Sequence, residues 1–188
     1  MKKTLLLLSA ALLSLQSIAQ TTWSADPAHS SVNFTIKHMG INLVPGYFEK
    51  FDGTLMSDAK DFSDAKVDFT VQTASVNTHV EMRDNHLKTA DFFDAEKYPT
   101  MHFVSTKMQK SGKGYKLHGN LTIKDVTKPV VFDVMYGGMA KDQRGNEKVG
   151  FMATTTINRL DYHINYDPTG QGVAKEVEIK IFTELAKK

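Results

Sequence analysis

The side chains in this sequence best suited to chemistry are two arginines, each followed closely by an aspartate. Arg83 and Asp84 are adjacent, and Arg159 stands two residues before Asp161. A guanidinium presents its donors in a planar fork, so it can bind a phosphate or quinone oxygen through paired hydrogen bonds. Each pair could also be a structural ion pair or a helix cap, since charged pairs commonly orient loops. We take Arg83, Asp84, Arg159 and Asp161 as candidate contacts for the head group of a ligand.

Acid–base catalysis is the alternative use of the same polar residues. Asp84, His86, Arg159 and Asp161 are the one cluster that could act as a hydrolase or isomerase, and they would have to lie within hydrogen-bond reach of one another. The sequence contains no Gly-x-Ser-x-Gly nucleophile elbow. Our leading expectation is that the protein has no catalytic residue.

Metal ligands are not predicted. Histidines occur at 29, 38, 79, 86, 102, 118 and 163, with no His-x-x-x-His pair, and the sequence has no cysteine. A metal site would arise only if folding gathered His29, His38 and His163. We therefore expect neither a metal nor another cofactor.

The clearest element that could position these groups is a strand pair within residues 115–136. Apolar side chains alternate with polar ones through residues 115–123 and again through residues 130–134, which is typical of strands with one buried face. We expect a hairpin linked by residues 125–128. Pro129 would then stand at the entrance of the second strand, where a missing backbone donor does least harm.

The same period of two recurs along most of the chain and predicts eight or nine antiparallel strands. In the strand predicted over residues 44–56, Gly46 and Gly53 indicate bulges or a close approach of another group to the backbone. The period changes only in residues 77–99, where Asn77 or Thr78 could cap a short helix. This pattern favours an all-β barrel or sandwich with one helical insert.

The inward-facing rows of these strands predict the lining of a barrel. A barrel of about eight strands is either filled by its own side chains or holds one small or slender ligand, and the alternation alone favours a solid core. The candidate lining residues are Val32, Phe34, Ile36, Val67, Phe69, Val71, Met101, Phe103, Leu121, Ile123, Phe132, Phe151 and Ile181.

Residues 1–19 have the pattern of a cleavable secretory signal. Lys2 and Lys3 precede an apolar run over residues 5–15, and a small-x-small cleavage motif ends at Ala19, before Gln20. The run is short for a membrane span, so we expect no stable membrane anchor. We predict a signal peptide over 1–19 and one domain over 20–188.

Charge and cysteine content exclude several classes of partner. The whole chain has 23 basic and 21 acidic residues, and cleavage would remove Lys2 and Lys3 and leave 21 of each. No basic block then remains for nucleic acid or an anionic membrane surface, and we expect no nucleic-acid partner. Without cysteine the domain has no disulfide, so its core alone must hold it together.

Several groups of residues, taken in their order and spacing, resemble the YceI family, and the resemblance covers essentially the whole chain after residue 19. They are Trp23, Asp26, His29 and Ser30; Phe34, Ile36 and His38; Val44, Gly46, Phe48 and Gly53; residues 83–99; residues 121–123 with 126–130; and Ile157, Arg159, Asp161 and Tyr162. Two departures affect a barrel mouth or turn. His163 and Ile164 stand where the family usually has a glycine, and Asp125 stands where it often has one.

The resemblance implies an antiparallel eight-stranded, lipocalin-like β-barrel in the bacterial periplasm. It implies binding, storage or transport of a long-chain amphiphile, a polyisoprenoid or isoprenoid quinone, inside the barrel and without known catalysis. The partner expected is therefore an isoprenoid-type lipid. The sequence leaves open a homodimer, and also a ligand-free stress or adhesion protein with a solid core.

Overall fold

The structure, a computed structural model, describes residues 20–188, and the predicted signal of residues 1–19 lies outside them. The described chain forms eleven strands and one short α-helix. The elements are β1 (Thr22–Ala25), β2 (Ser31–His38), β3 (Asn42–Phe48), β4 (Phe51–Met56), β5 (Lys66–Gln72), β6 (Val76–Asn77), α1 (Glu81–Leu87), β7 (Thr100–Ser111), β8 (Gly114–Ile123), β9 (Val126–Lys141), β10 (Glu147–Asn158) and β11 (Val173–Lys187).

These strands close into an eight-stranded antiparallel barrel, which confirms the predicted fold. β1 and β2 pair one after the other with β11, and on their other side they pair with β4 and β3. β1 and β2 therefore share one strand position in the barrel, and β3 and β4 share the next. β5 and β6 also share one position, since β5 pairs with β4 and β6 pairs with β3. The remaining strands β7 to β11 pair in chain order, so neighbouring strands in space are neighbours in sequence.

The loop between β4 and β5 packs against the lower end of the barrel and closes it. The described chain begins and ends at this same end. Phe62, in the loop after β4, is only 3% exposed. Its ring meets Trp23 edge-on with centroids 5.7 Å apart and Phe151 with centroids 5.3 Å apart. This aromatic cluster forms a solid plug, and a sequence search for strand periodicity could not find it because Phe62 lies in a loop.

The upper end is formed by four connections: the turn between β2 and β3, the segment from β5 to β7 that carries α1, the turn between β8 and β9, and residues 159–172 between β10 and β11. Both predicted arginine sites lie in these connections. No helix in the described part of the chain is long and apolar enough to cross a bilayer.

Two local predictions were wrong. Val80 precedes α1 and provides no side-chain cap; instead Asp84 reaches back and accepts hydrogen bonds from the backbone and hydroxyl of Thr78. The link between β8 and β9 is only two residues long, with Lys124 in the left-handed region at a φ of 56°. Pro129 therefore lies inside β9, at a position where that strand pairs with β8 alone, which is where a strand tolerates a missing backbone donor.

Candidate ligand cavity

The barrel encloses a cavity of about 410 Å³ above the aromatic plug. Its wall is made chiefly of apolar side chains from the strands around the barrel. All the residues that the sequence predicts as lining, from Val32 to Ile181, lie on this wall. That they contact a ligand stays a prediction.

Side-chain burial differs between the residues around the plug and several residues of the cavity wall. Near the plug, Leu55 and Val149 are 3% and 1% exposed, as in an ordinary core. Higher up, the inward-facing Phe34, Phe69 and Ile179 remain only partly buried because they face open space and not each other. The solid-core alternative is therefore wrong for the upper part of this barrel.

Glycines in the wall give aromatic rings room to lie flat against it. Gly46 is the cross-strand partner of Phe34, and Gly53 is the partner of Phe69. A methyl group added at either glycine would overlap the facing ring. Both strands keep a regular register here, so the glycines mark close approach and not bulges. The rings cover the bare backbone and leave the centre of the barrel free.

Charged side chains reach the cavity wall at its upper end. They are Lys37, Arg83 and Arg159, and His38 and His86 lie beside them. Lys37 and His38 are also exposed to solvent, so the cavity opens at this end. The result is an apolar chamber with a polar mouth, the arrangement that suits an amphiphile with its tail inside.

Arg83 is the head-group candidate that the structure leaves available. Its Nε donates to the Thr78 hydroxyl at 2.7 Å and one Nη2 proton to the Thr78 carbonyl at 2.8 Å. No carboxylate among the described residues lies within ion-pair distance of it, and Asp84 bonds Thr78 and lies off the cavity wall. The Nη1 group of Arg83 therefore keeps both donors for a ligand oxygen.

Arg159 has a structural task. It is 2% exposed, and its guanidinium donates four hydrogen bonds of 2.7 to 2.8 Å to the backbone carbonyls of Ile164, Asp167, Val173 and Ala174. Burial lowers the pKa of this guanidinium. The side chain thus holds the connection between β10 and β11 in shape at the cavity mouth.

Asp161, the predicted companion of Arg159, faces away from the cavity. Its side chain is 51% exposed and lies 3.8 Å from Lys128 Nζ. His86 Nε2 lies 2.8 Å from Asp91 Oδ2, and Asp84 bonds Thr78. None of the four residues proposed for catalysis is hydrogen-bonded to another, so the cluster that the hydrolase or isomerase alternative needs is not formed.

The histidines named for a metal site are not gathered. His29 bonds Asp26 near the lower end, and His163 bonds Asp125 at the upper end. The structure instead brings Asp26, His29 and Glu184 together, with ligand atoms within 4.8 Å of one another. Asp26 and His29 are only three residues apart, but Glu184 is distant in sequence, so the three share no spacing that a motif search would find.

A lysine already compensates this carboxylate cluster. Lys148 Nζ lies 2.9 Å from Asp26 and 3.3 Å from Glu184. The hydrogen bonds from Lys148 and His29 lower the pKa of Asp26 to about 2. The group is best described as an ion-pair network that ties the break between β1 and β2 to β10 and β11.

Comparison with known proteins gives one consistent match. The family model described as YceI-like domain matches residues 23–185. A UPF0312 protein of Pectobacterium atrosepticum is 38% identical over 179 residues, covering 92% of this chain and 93% of the relative. A UPF0312 protein of Staphylococcus aureus is 37% identical over 171 residues, covering 88% of this chain and 98% of the relative.

Solved structures agree with the barrel. A YCEI protein of Campylobacter jejuni matches with a TM-score of 0.72 and 36% identity over 81% of this chain and 90% of its own. BcnA of Burkholderia cenocepacia matches with a TM-score of 0.75 and 26% identity, covering 85% and 98%. A polyisoprenoid binding domain from Saccharophagus degradans matches with a TM-score of 0.66 and 14% identity, covering 88% and 98%.

Proposed function

The chain belongs to the YceI-like domain family, and on that premise we propose that it binds a long-chain amphiphile, such as a polyisoprenoid or an isoprenoid quinone, inside its barrel. The observation that carries this proposal is the apolar cavity of about 410 Å³ whose charged wall residues all lie at the mouth. Its volume falls in the range of roughly 300 to 1,000 Å³ found for ligand pockets.

The energetics of tail burial are sufficient without further polar chemistry. Each methylene removed from water contributes about 0.8 kcal/mol, so enclosing about ten chain carbons contributes about 8 kcal/mol before ordering costs. A free energy of that size corresponds to a dissociation constant of about 1 μM. A prenyl chain also suits a wall rich in aromatic and branched side chains, since it packs by shape and not by hydrogen bonds.

The head group would lie at the mouth, within reach of Arg83. The two unused Nη1 donors of that side chain suit a phosphate or quinone oxygen. Arg159, with four of its five donors already bound to carbonyls, would support the mouth and contribute little direct affinity.

The ligand class named for the Saccharophagus degradans domain is a property of that protein. At 14% identity the likeness supports the fold alone. The proposal for this chain therefore depends on its own cavity and on the location of its charged residues.

We also propose that the domain works as a carrier or store in the periplasm after export. The support is the pattern of residues 1–19, in which two lysines precede an apolar run and a small-x-small motif. Expression in a Gram-negative host, followed by mass measurement of the protein in the periplasmic fraction, tests this. A mature chain beginning at Gln20 is the expected result, and an uncleaved chain in the cytoplasm would contradict it.

Native mass spectrometry of protein never exposed to detergent tests the binding proposal. We expect a bound lipid, or uptake of ubiquinone delivered on cyclodextrin. Phe69→Trp should reduce uptake by adding bulk on the cavity wall, whereas Thr70→Trp, on the outer face of the same strand, should not. A folded wild-type protein that carries no lipid and rejects added prenyl lipids would refute the proposal.

A further inference from the structure

Exposed apolar side chains surround the opening of the cavity. Ile41 and Met82 are 85% and 82% exposed, and Met39 and Leu43 are 62% and 59% exposed. Tyr166, at 43% exposed, lies on the cavity wall itself. We call Met39, Ile41, Leu43, Met82 and Tyr166 the apolar collar.

The turn between β2 and β3 is an unfavourable place for such residues. Ile41 N–H donates to the His38 carbonyl at 3.1 Å, and the two central residues have left-handed backbones, with φ of 51° at Met39 and 72° at Gly40. This turn type strongly prefers asparagine, aspartate or glycine at both central positions. Met39, large, 62% exposed and in this backbone conformation, buries little surface in the fold, which is consistent with a role in contacting an external partner.

The segments that carry the collar meet at the opening. Met39 N–H donates to the Gly172 carbonyl at 2.7 Å, which joins the β2–β3 turn to the connection that contains Tyr166. The Tyr166 ring packs on the ring of His86 in α1, with centroids 5.2 Å apart. His86 and Tyr166 also line the cavity, so a surface that covers the collar would cover the opening too.

Cationic side chains accompany the collar. Lys37 lies opposite Leu43 in the β2–β3 pair, and the side chain of Lys175 in β11 lies against Gly170 of the connection that contains Tyr166. Neither lysine forms an ion pair within the described residues. An exposed acid also lies near the opening, since Asp91, whose side chain is 61% exposed, is 2.8 Å from His86 Nε2. The sequence has no basic block for an anionic membrane, and the fold adds only dispersed lysines at the opening. Exposed apolar side chains flanked by such lysines are suited to a lipid–water interface, where the apolar groups carry the binding and the lysines meet phosphates.

We propose that the collar docks on the surface of a phospholipid bilayer, with the cavity opening facing the lipid. This inference rests on the proposed function, because an apolar tail can then pass between bilayer and barrel without crossing water. Ile41 and Met39 at the turn would enter the acyl region, Met82 and Tyr166 would lie at the head-group level, and the lysines would meet phosphates.

Two measurements separate docking from cargo binding. The first is co-flotation of the protein with phosphatidylcholine vesicles, with and without phosphatidylglycerol and free of prenyl lipid. The second is the rate of ubiquinone transfer from such vesicles into the protein, set against equilibrium loading from cyclodextrin. We expect Ile41→Asp and Leu43→Asp each to weaken flotation and slow transfer by roughly tenfold, because a charge replaces an inserted side chain. Loading from cyclodextrin should stay at the wild-type level.

Met135→Asp is the matched control. Met135 is 59% exposed, like Leu43, and it lies on the outer face of β9 away from the opening. The control should behave as wild type in flotation, in transfer from vesicles and in loading from cyclodextrin. Wild-type protein that does not float, or collar variants that extract ubiquinone at the wild-type rate, would overturn the docking proposal.

The remaining outcomes are also distinct. If the wild type floats but never loads from cyclodextrin, the proposed function fails while the collar still binds membrane. If Ile41→Asp converts a dimer to a monomer in analytical ultracentrifugation and leaves flotation unchanged, the collar is a contact between two copies, and the bilayer proposal is wrong.

Discussion

Gly46→Ala should close part of the cavity without unfolding the barrel. The added methyl group would occupy the place where the Phe34 ring now lies against the wall. The ring has one direction in which to move, inward, because the adjoining space is the empty cavity. In an extended strand alanine is intrinsically favoured over glycine by about 0.5 to 1 kcal/mol, so the free energy of unfolding should change little.

The loss of affinity follows from the space that the ring takes. A six-carbon ring that swings inward displaces roughly five ligand carbons, which removes about 4 kcal/mol of tail burial at about 0.8 kcal/mol per carbon. That corresponds to a loss of up to about a thousandfold in affinity. Titration calorimetry with ubiquinone on cyclodextrin measures this loss, and thermal unfolding checks the fold.

Two companion variants isolate the cause. Gly150→Ala is the control, because a methyl group there meets nothing closer than the Thr183 carbonyl at 3.8 Å. Gly46→Ala combined with Phe34→Leu should recover most of the binding, since the obstructing ring is gone. Wild-type affinity in Gly46→Ala, or no recovery in the double variant, would refute the mechanism.

Further predictions concern the mouth, the plug and the ion-pair network. Arg159→Met should lower the free energy of unfolding by about 3 to 5 kcal/mol in urea titrations, because it strands buried carbonyls; an unchanged midpoint would contradict this role. Arg83→Gln should reduce the preference for geranylgeranyl phosphate over geranylgeraniol in calorimetry by about tenfold, since a charge-assisted contact is lost; equal loss for both lipids would count against a head-group role. Phe62→Ala should destabilise the barrel by about 3 to 5 kcal/mol in thermal unfolding, because it empties the plug; a loss below about 1 kcal/mol would show that the plug is not part of the core. Asp26 has a pKa of about 2 in the folded protein and an ordinary value of 3.8, so its contribution to stability is present above pH 4 and lost as the pH falls to about 2. The urea midpoint of Asp26→Asn should therefore change less over that pH range than the midpoint of the wild type. The same dependence of the midpoint on pH in both proteins would contradict a role for the ion-pair network.

The strands and their inward faces could be predicted from the sequence, because the alternation of side chains is a local property of an extended chain. The alternation predicts residues such as Phe69 and Ile181 in the interior, and both lie there. The helical insert was also predictable, but its start was not. Asp84 supplies the contact with Thr78 from inside the helix, which the capping pattern does not describe.

The roles of the charged residues could not be predicted, because they depend on partners that are distant along the chain. Arg83 and Arg159 look alike in sequence, yet one keeps free donors at the cavity and the other is surrounded by carbonyls from a folded-back connection. The network of Asp26, Lys148 and Glu184 is of the same kind.

The sequence by itself determined which side chains face inward, and its alternation narrowed the fold to an antiparallel barrel or sandwich, of which the family resemblance implied the barrel. Only the tertiary structure decided that the upper part of the interior is hollow, that Phe62 plugs its base, and that exposed apolar residues surround its mouth. The physical reason is that alternation specifies the direction of a side chain, whereas the width of a cavity depends on the distance between opposite walls. That distance is set by strand pairing, by rings lying over glycines such as Gly46, and by loops that fold back over the ends.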